Sequence, residues 1–278
     1  MSYKILNKRE LCTNQYELTI DAPYVVRNAK AGQFVILRVE ENGERIPLTI
    51  ADVNKEKGEL TIVFMAVGHT TKKLALLEIG DELIDLAGPL GTPTHIKKYG
   101  TVVCVAGGYG AAPCYLISKA FKEAGNKVYM VMGARSKDLI FWEDKMKTAC
   151  DELFITTNDG SLGEQGFVTQ VLDRLIKQEQ IDYVIAVGPM PMMRAVADLT
   201  RDKNIYTEAS MNPIMVDGTG MCGACRLTVG GEVKFACVDG PDFNAHLIDF
   251  DEVINRTSLY KNQERKRDEN CNLLNRRI

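Results

Sequence analysis

Short apolar runs alternate with turn residues through the first third of the chain. The runs cover residues 16–20, 33–39, 60–67 and 82–86, and turns that contain glycine or asparagine separate them. Short strands at this spacing predict a small antiparallel barrel or sandwich. One helix-like segment at residues 70–77 interrupts the strands, and the turn-rich segment 88–93 marks the end of this part of the chain.

The pattern changes after Thr101, where buried-type strands alternate with amphipathic helices. The expected strands are 102–106, 127–132, 153–157 and 183–187, and the expected helices are about 110–124, 141–149, 166–177 and 191–203. This alternation predicts a parallel sheet with crossover helices. Residues 211–242 break the pattern with Gly, Asp and Cys, and the chain after Lys261 is polar and charged.

These changes divide the chain into four expected parts. They are a β-barrel domain (1–93), an α/β nucleotide-binding domain (94–210), a small cysteine-containing module (211–245) and a C-terminal tail that docks a partner (246–278). The fold class is therefore β-barrel plus α/β, and a length of 278 residues suits two domains of ordinary size.

Charge and apolar content exclude several classes of function. The 34 basic and 37 acidic residues give a net charge of −3, which does not suit binding to nucleic acid or to an acidic membrane surface. No apolar run approaches the roughly 20 residues of a membrane span. The first ten residues lack the apolar core of a secretion signal, so we expect a cytoplasmic protein.

The strongest chemical pattern is a cluster of cysteines near the C-terminus. Cys222 and Cys225 are followed by Cys237, and Asp217 stands where the C-x4-C-x2-C spacing of plant-type [2Fe–2S] proteins places the first ligand. A carboxylate can replace a thiolate on iron, and the interspersed glycines let the backbone curl around a cluster. The alternative is a structural zinc site, because three cysteines and an aspartate can also hold Zn²⁺.

A glycine turn follows the first strand of the predicted parallel sheet and opens a helix. Glycines at this place allow the pyrophosphate of a nucleotide to approach the free N–H groups of the helix N-terminus. Further turns at the same sheet edge supply an arginine and an aspartate. The candidate NAD(P)-binding residues are Gly107, Gly108, Gly110, Ala111, Pro113, Arg135 and Asp159. Arg135 is equally well interpreted as a solvated surface residue.

The barrel domain carries a weaker pattern of the same kind. Arg45 and Thr49 belong to one strand-like stretch, and Thr70 and Thr71 begin the short helix. An arginine beside a helix N-terminus can bind a diphosphate, but the same threonines are also ordinary helix caps. The three histidines are not clustered with a Ser or Cys, so hydrolase chemistry has no support and no catalytic residue is assigned.

Taken together and in this order, the motifs resemble the ferredoxin–NADP reductase superfamily. They are R-x-P-L-T from Arg45, G-H-T-T from Gly68, D-L-A-G-P-L-G at 85–91, G-G-Y-G-A-A-P from Gly107 and the cysteine cluster. The resemblance covers nearly the whole chain up to about Phe243 and implies an FAD-binding barrel, an NAD(P)-binding domain and a [2Fe–2S] module. It places FAD on Arg45, Pro47, Leu48, Thr49, Val63, Phe64, Met65, Thr70 and Thr71, and the cluster on Asp217, Cys222, Cys225 and Cys237.

Within that superfamily the chain is similar to two kinds of electron-transfer subunit. One serves dihydroorotate dehydrogenase and carries Cys where Asp217 stands; the other is the small subunit of NADH-dependent ferredoxin:NADP oxidoreductase. Asp217 and the charged tail resemble the second kind, which implies NAD(H) as substrate and a larger iron–sulfur flavoprotein as partner. That partner would handle ferredoxin and NADP(H) and split electron pairs. The dihydroorotate branch is the alternative, and a zinc-stabilised nucleotide-binding regulator is an alternative of another class.

Overall fold

A seven-stranded antiparallel sheet forms the N-terminal third of the chain. The computed structural model describes residues 3–269. The strands of this sheet are β1 (Tyr3–Cys12), β2 (Gln15–Asp21), β3 (Phe34–Arg38), β4 (Arg45–Asn54), β5 (Glu59–Met65), β6 (Glu82–Leu83) and β7 (Asp85–Leu90). Their order is β6-β1-β2-β5-β4-β3-β7. Only Ile84 separates the two edge strands β6 and β7 in sequence, so the sheet must curl until its edges meet as a nearly closed barrel.

The barrel encloses its own apolar core, and two short helices accompany it. Alternate residues of β2 and β5, such as Leu18, Ile20, Leu60 and Ile62, are fully buried in this core, as the two-residue period of strands requires. The helices are α1 (Pro23–Asn28) and α2 (His69–Leu76). The predicted boundary segment begins inside β7, which continues to Leu90.

The second sheet is parallel, with one antiparallel edge strand. Its strands are β8 (Thr101–Gly107), β9 (Lys127–Ala134), β10 (Glu152–Thr157), β11 (Glu164–Gln165), β12 (Tyr183–Val187), β13 (Tyr206–Ser210) and β16 (Asp242–Asn244). The order is β11-β10-β9-β8-β12-β13-β16, and β16 runs antiparallel to β13. This arrangement confirms the fold class expected from the sequence.

Helices cover both faces of this sheet, which explains why its central strands β8, β9 and β12 are almost continuously apolar. They are α3 (Ala111–Glu123), α4 (Glu143–Ala149), α5 (Val168–Gln178) and α6 (Met190–Arg201), with short 3₁₀ turns at Gly108–Gly110 and Lys137–Leu139. In α5 the buried residues Val168, Val171, Leu172 and Leu175 follow the helical period.

The cysteine-containing segment is built into the second sheet. The hairpin β14 (Arg226–Val229) and β15 (Glu232–Phe235) follows the cysteine loop, and the chain then returns as β16 to the sheet edge. Helix α7 (Phe250–Ser258) buries Phe250 and Val253 in the core that the α/β domain and the hairpin share. The expected tail therefore begins with a packed helix.

The last described helix is α8 (Lys261–Glu269), which lies against α2 of the barrel. The tail that is expected to dock a partner also contains the apolar residues Leu273, Leu274 and Ile278, which lie outside the described residues. Within residues 3–269, no helix has the length and apolar character that a membrane span requires.

Polar contacts join the barrel to the α/β domain. The indole Nε1 of Trp142 donates to Glu17 Oε2 at 2.7 Å, and Lys145 pairs with Asp52 at 2.7 Å. The Lys145 ammonium also lies 3.9 Å from the centre of the Trp142 ring. Contacts that are shielded from water in this way fix the relative orientation of two domains better than exposed ion pairs do.

Candidate functional site

A cavity of about 340 Å³ lies where the barrel meets the α/β domain. From the barrel, β4 supplies Pro47, Leu48 and Thr49, β5 supplies Val63, Phe64 and Met65, and α2 supplies Thr71. From the other side come Gly110, Pro113 and the segment that leads to the cysteine loop. The structure thus brings seven of the nine predicted FAD residues to one cavity. Its mostly apolar walls with a few polar groups suit a flat aromatic cofactor.

Arg45 and Thr70 do not border this cavity. Arg45 pairs with Asp85 at 2.5 Å, and the buried Thr70 hydroxyl donates to Glu44 Oε2 at 2.6 Å. The Thr71 hydroxyl accepts the backbone N–H of Gly68 at 3.0 Å and so closes the N-terminus of α2. The predicted diphosphate contacts of Arg45 and Thr70 therefore stay predictions.

A second cleft of about 730 Å³ runs along the carboxyl edge of the parallel sheet. Gly107, Gly108 and Arg135 border it, as predicted, together with Asn158. Asp159 does not border it, because its carboxylate accepts hydrogen bonds from the backbone and hydroxyl of Ser161. These bonds hold the pKa of Asp159 below its usual value.

The glycines of the turn that follows β8 have different structural roles. A side chain at Gly110 would lie 2.3 Å from the carbonyl oxygen of Val187, and one at Gly107 would lie 2.4 Å from the sulfur of Met192. Both glycines therefore serve the packing of β8 against the β12–α6 turn. Gly108 has a φ of +55° and faces open space, which leaves its backbone accessible to a ligand. Ala111 is buried at the start of α3.

The cavity and the cleft meet at three residues. Met65, Val67 and Tyr109 border both spaces. Tyr109 is 41% exposed and belongs to the 3₁₀ turn of the glycine motif. The two spaces are therefore adjacent, as transfer of a hydride from a nucleotide in the cleft to a ring in the cavity requires.

The cysteine loop lies next to the same cavity. Pro213 and Met215 border the cavity shortly before Asp217 in the chain. Gly218 has a φ of +75°, and a side chain there would lie 2.5 Å from Ile36 and 2.8 Å from Leu90. The loop therefore packs directly on strands β3 and β7 of the barrel, and glycine is required for this approach.

Asp217 and the three cysteines lie in one loop and hairpin. Asp217 accepts the backbone N–H of Thr219 at 3.0 Å and that of Cys222 at 2.8 Å. These bonds hold the pKa of its carboxyl below the usual value. Cys225 and Cys237 are buried with their sulfurs 3.2 Å apart, whereas Cys222 is exposed.

The carboxylate of Asp217 and the sulfurs of the three cysteines are chemically suited to a metal cluster, although their side chains do not surround one common point. Among the described residues, no three His, Cys, Asp or Glu side chains are placed as a ready metal site. Burial raises the pKa of the Cys237 thiol to about 12, and the neighbouring Cys225 and Asp217 add to this effect. Two buried sulfurs in contact and an anionic carboxylate on a glycine-rich loop are suited to iron with bound sulfide.

Comparison with known proteins identifies the type of chain. Residues 104–198 match the oxidoreductase NAD-binding domain, and residues 212–249 match the iron–sulfur cluster binding domain of dihydroorotate dehydrogenase B. The electron transfer subunit of dihydroorotate dehydrogenase B (NAD⁺) from Bacillus pumilus is 36% identical over 87% of this chain and 95% of its own length. The chain belongs to this family of electron-transfer subunits.

Two further relatives are more similar. A Thermotoga maritima homologue of the same electron transfer subunit is 45% identical over 94% of this chain and 93% of its own length. A chain in the structure of NADH-dependent reduced ferredoxin–NADP oxidoreductase, solved to study flavin-based electron bifurcation, is 44% identical. It superimposes with a TM-score of 0.92 over 96% of this chain and 97% of its own.

Family membership confirms the expected cofactors, which are FAD, an iron–sulfur cluster and NAD(H). The chain is an oxidoreductase subunit that transfers electrons and works with a larger partner subunit. The zinc-stabilised regulator finds no support, because the matched cysteine domain binds an iron–sulfur cluster.

Some residues that border the cavity and the cleft were not predicted from the sequence. The cavity is also bordered by Ser210, Met211 and Asn212, which connect the last parallel strand to the cysteine loop. This segment has no periodic pattern, and only its position between two motifs could have indicated it. The cleft is also bordered by Thr13 and Asn14 of the β1–β2 turn, where Asn14 has a φ of +60°. An asparagine between two strands is a turn signal that could have been used.

Proposed function

We propose that this chain is the small subunit of an electron-bifurcating, NADH-dependent ferredoxin:NADP oxidoreductase. One observation carries the proposal: the nucleotide cleft adjoins the apolar cavity on one side, and the segment that leads into the cysteine loop borders the same cavity. A two-electron donor, a flavin and a one-electron relay need that order. When bound, the flavin supplies the conversion between hydride and single electrons.

The residues of the chain bind and orient the reactants. Pro47, Leu48 and Thr49 of β4 would hold the flavin with their backbone and the Thr49 hydroxyl, and Val63, Phe64 and Met65 of β5, which line the same cavity, would pack against it. Arg45, Thr70 and Thr71 would contact the diphosphate after Arg45 and Thr70 exchange their carboxylate partners for phosphate oxygens.

In the cleft, the exposed backbone of Gly108 and the guanidinium of Arg135 would hold the phosphates of NAD(H). Gly107, Gly110, Ala111 and Pro113 shape the turn and the first residues of α3. Asp159 orders the neighbouring loop through Ser161. Because Met65, Val67 and Tyr109 border both spaces, they would exclude water from the point where the hydride is transferred.

Asp217, Cys222, Cys225 and Cys237 would hold the [2Fe–2S] cluster. Exposed Cys222 lies beside Met221, which is 89% exposed, so electrons would leave to the partner from this side of the loop. We propose a larger iron–sulfur flavoprotein as that partner, with ferredoxin and NADP(H) bound by the partner. The cytoplasmic location expected from the sequence stays a prediction.

The runner-up is an electron-transfer subunit of dihydroorotate dehydrogenase. Asp217 favours the first proposal. The test is to tag this chain, purify it anaerobically from its native cells and identify its partner. We expect an iron–sulfur flavoprotein and NADPH oxidation that reduces ferredoxin only when NAD⁺ is present. Reduction of NAD⁺ by dihydroorotate would instead establish the runner-up.

A further inference from the structure

A buried carboxylate lies between the flavin cavity and a separate cleft on the opposite side of the domain junction. Asp242 is the first residue of β16 and the cross-strand partner of Ser210, which borders the flavin cavity. Although Asp242 as a whole is only partly buried, its Oδ1 atom is shielded from solvent and has no hydrogen-bond partner among the described residues. Such an atom needs an explanation, because buried polar atoms are normally paired.

The other carboxylate oxygen of Asp242, Oδ2, contacts a residue that borders a different space. The Thr94 hydroxyl donates to Asp242 Oδ2 at 2.5 Å. Thr94 in turn borders a wide cleft of about 1100 Å³ that His95, Lys119 and Glu123 also line. Ser210, Asp242 and Thr94 therefore connect the two spaces through side chains that can carry protons.

The backbone leaves room for this connection. Gly32 has a φ of +85°, and a side chain there would lie 2.1 Å from Thr94 Oγ1 and 3.1 Å from Asp242 Oδ2. The titratable groups that face Asp242 are Glu208 from β13, Tyr183 from β12 and Cys114 from α3. Glu208 accepts the hydroxyls of Tyr183 and Tyr206. Burial and the negative charge of Glu208 raise the pKa of Asp242, and the neighbouring hydroxyls of Ser210 and Thr94 oppose this effect.

We propose that Ser210, Asp242 and Thr94 form a proton relay that removes the proton left behind when reduced flavin gives its electrons to the cluster. The proposal rests on the proposed function, since it requires flavin in the cavity and hydride from NADH. A hydride carries two electrons and one proton, and two single-electron transfers to an acceptor protein leave one proton. Ser210 takes that proton and gives its own to Asp242 Oδ1. The Thr94 hydroxyl, which donates to Asp242 Oδ2, then turns to give its proton to water in the wide cleft and accepts the proton of Asp242 in its place.

The experiment compares Asp242→Asn with the wild-type protein and with Asp21→Asn, which removes an exposed carboxylate at the end of β2. Each protein is reduced with one equivalent of NADH and then mixed with ferricyanide, a one-electron acceptor. We expect Asp242→Asn to slow reoxidation of the flavin at least about tenfold while its reduction by NADH stays within about twofold. Thr94→Val should slow reoxidation as well, and Thr94→Ser should restore it.

Infrared difference spectra of oxidised and reduced protein provide a readout that a structural role would not change. A carboxylic-acid carbonyl band should change with the redox state, shift in D₂O, disappear in Asp242→Asn and persist in Asp21→Asn. Unchanged reoxidation in Asp242→Asn would overturn the relay. Slowed reoxidation in this variant would also overturn it if the wild-type protein shows no such band. A wild-type protein that neither NADH nor NADPH reduces would instead refute the proposed function, and the relay with it.

Discussion

Replacing Asp242 by asparagine should change how the stability of the protein depends on pH. Burial raises the pKa of Asp242 to about 6 from an ordinary value of 3.8. A carboxyl whose pKa is raised by folding stabilises the folded protein when it is protonated. Its contribution to the free energy of unfolding is therefore complete below about pH 4 and is lost as the pH rises through about 6. Wild-type protein therefore loses stability over this window, whereas the side-chain amide of the Asp242→Asn variant stays neutral throughout.

The size of this change in stability follows from the difference between the pKa of Asp242 in the folded protein and its ordinary value. About two pKa units at about 1.4 kcal/mol each give about 3 kcal/mol, and partial access of water lowers this to about 2–3 kcal/mol. For a chain of this length such a change corresponds to a difference in Tm of roughly 5–10 °C. The quantity to compare is the stability of Asp242→Asn minus that of wild type, because other carboxyl groups titrate in both proteins.

The assay is scanning calorimetry at several pH values between about 4 and 7.5, with Asp21→Asn as the control for loss of an exposed carboxylate. The difference should move in favour of Asp242→Asn by about 2–3 kcal/mol across the window and then stay level. The control should show almost no dependence on pH. A difference for Asp242→Asn that is constant within about 0.5 kcal/mol would refute the argument that this carboxyl is buried with a raised pKa.

Variants of Asp217, of Arg135 and of the C-terminal tail test the remaining sites. Asp217→Ala should lose or destabilise the cluster while keeping FAD, and Asp217→Cys should keep a cluster with an altered EPR spectrum; an unchanged EPR signal in the alanine variant would exclude iron ligation. Arg135→Ala should raise the KM for NADH about tenfold through loss of a charged hydrogen bond, with the distant Arg201→Ala as control, and an equal KM would remove Arg135 from the site. Deleting residues after Tyr260 should keep FAD and NADH-driven flavin reduction while weakening assembly with the larger subunit; full co-purification of the truncated chain would show that the tail is dispensable.

Helices and strands were predicted well from the sequence wherever one hydrophobic period, that of a helix or that of a strand, runs through the segment. The buried strand at residues 102–106 and the amphipathic helix α5 were expected almost as they occur, because burial on two faces or on one face leaves a clear pattern. Strand β13 and the short strand β16 were not predicted. Each depends on pairing with a neighbour that is distant in sequence, and Thr207, Glu208 and Asp242 lack an apolar period.

Residues of the site were predictable where they belong to a recognisable sequence motif. Leu48, Phe64 and Gly108 lie where their motifs placed them, beside the two spaces. The sequence did not indicate that Gly110 serves packing, since that depends on the carbonyl of Val187 in another strand. The contact between Ser210 and Asp242 arises only when β16 returns to the sheet, so a relay there could be recognised only in three dimensions.

The central claim is that NAD(H), flavin and cluster work in sequence on this chain, and anaerobic titration with NADH tests it most directly. The purified protein should contain one FAD and a [2Fe–2S] cluster without zinc, and about one equivalent of NADH should bleach the flavin absorbance. A protein that binds no flavin, or whose flavin stays oxidised in excess NADH and NADPH, would contradict the account.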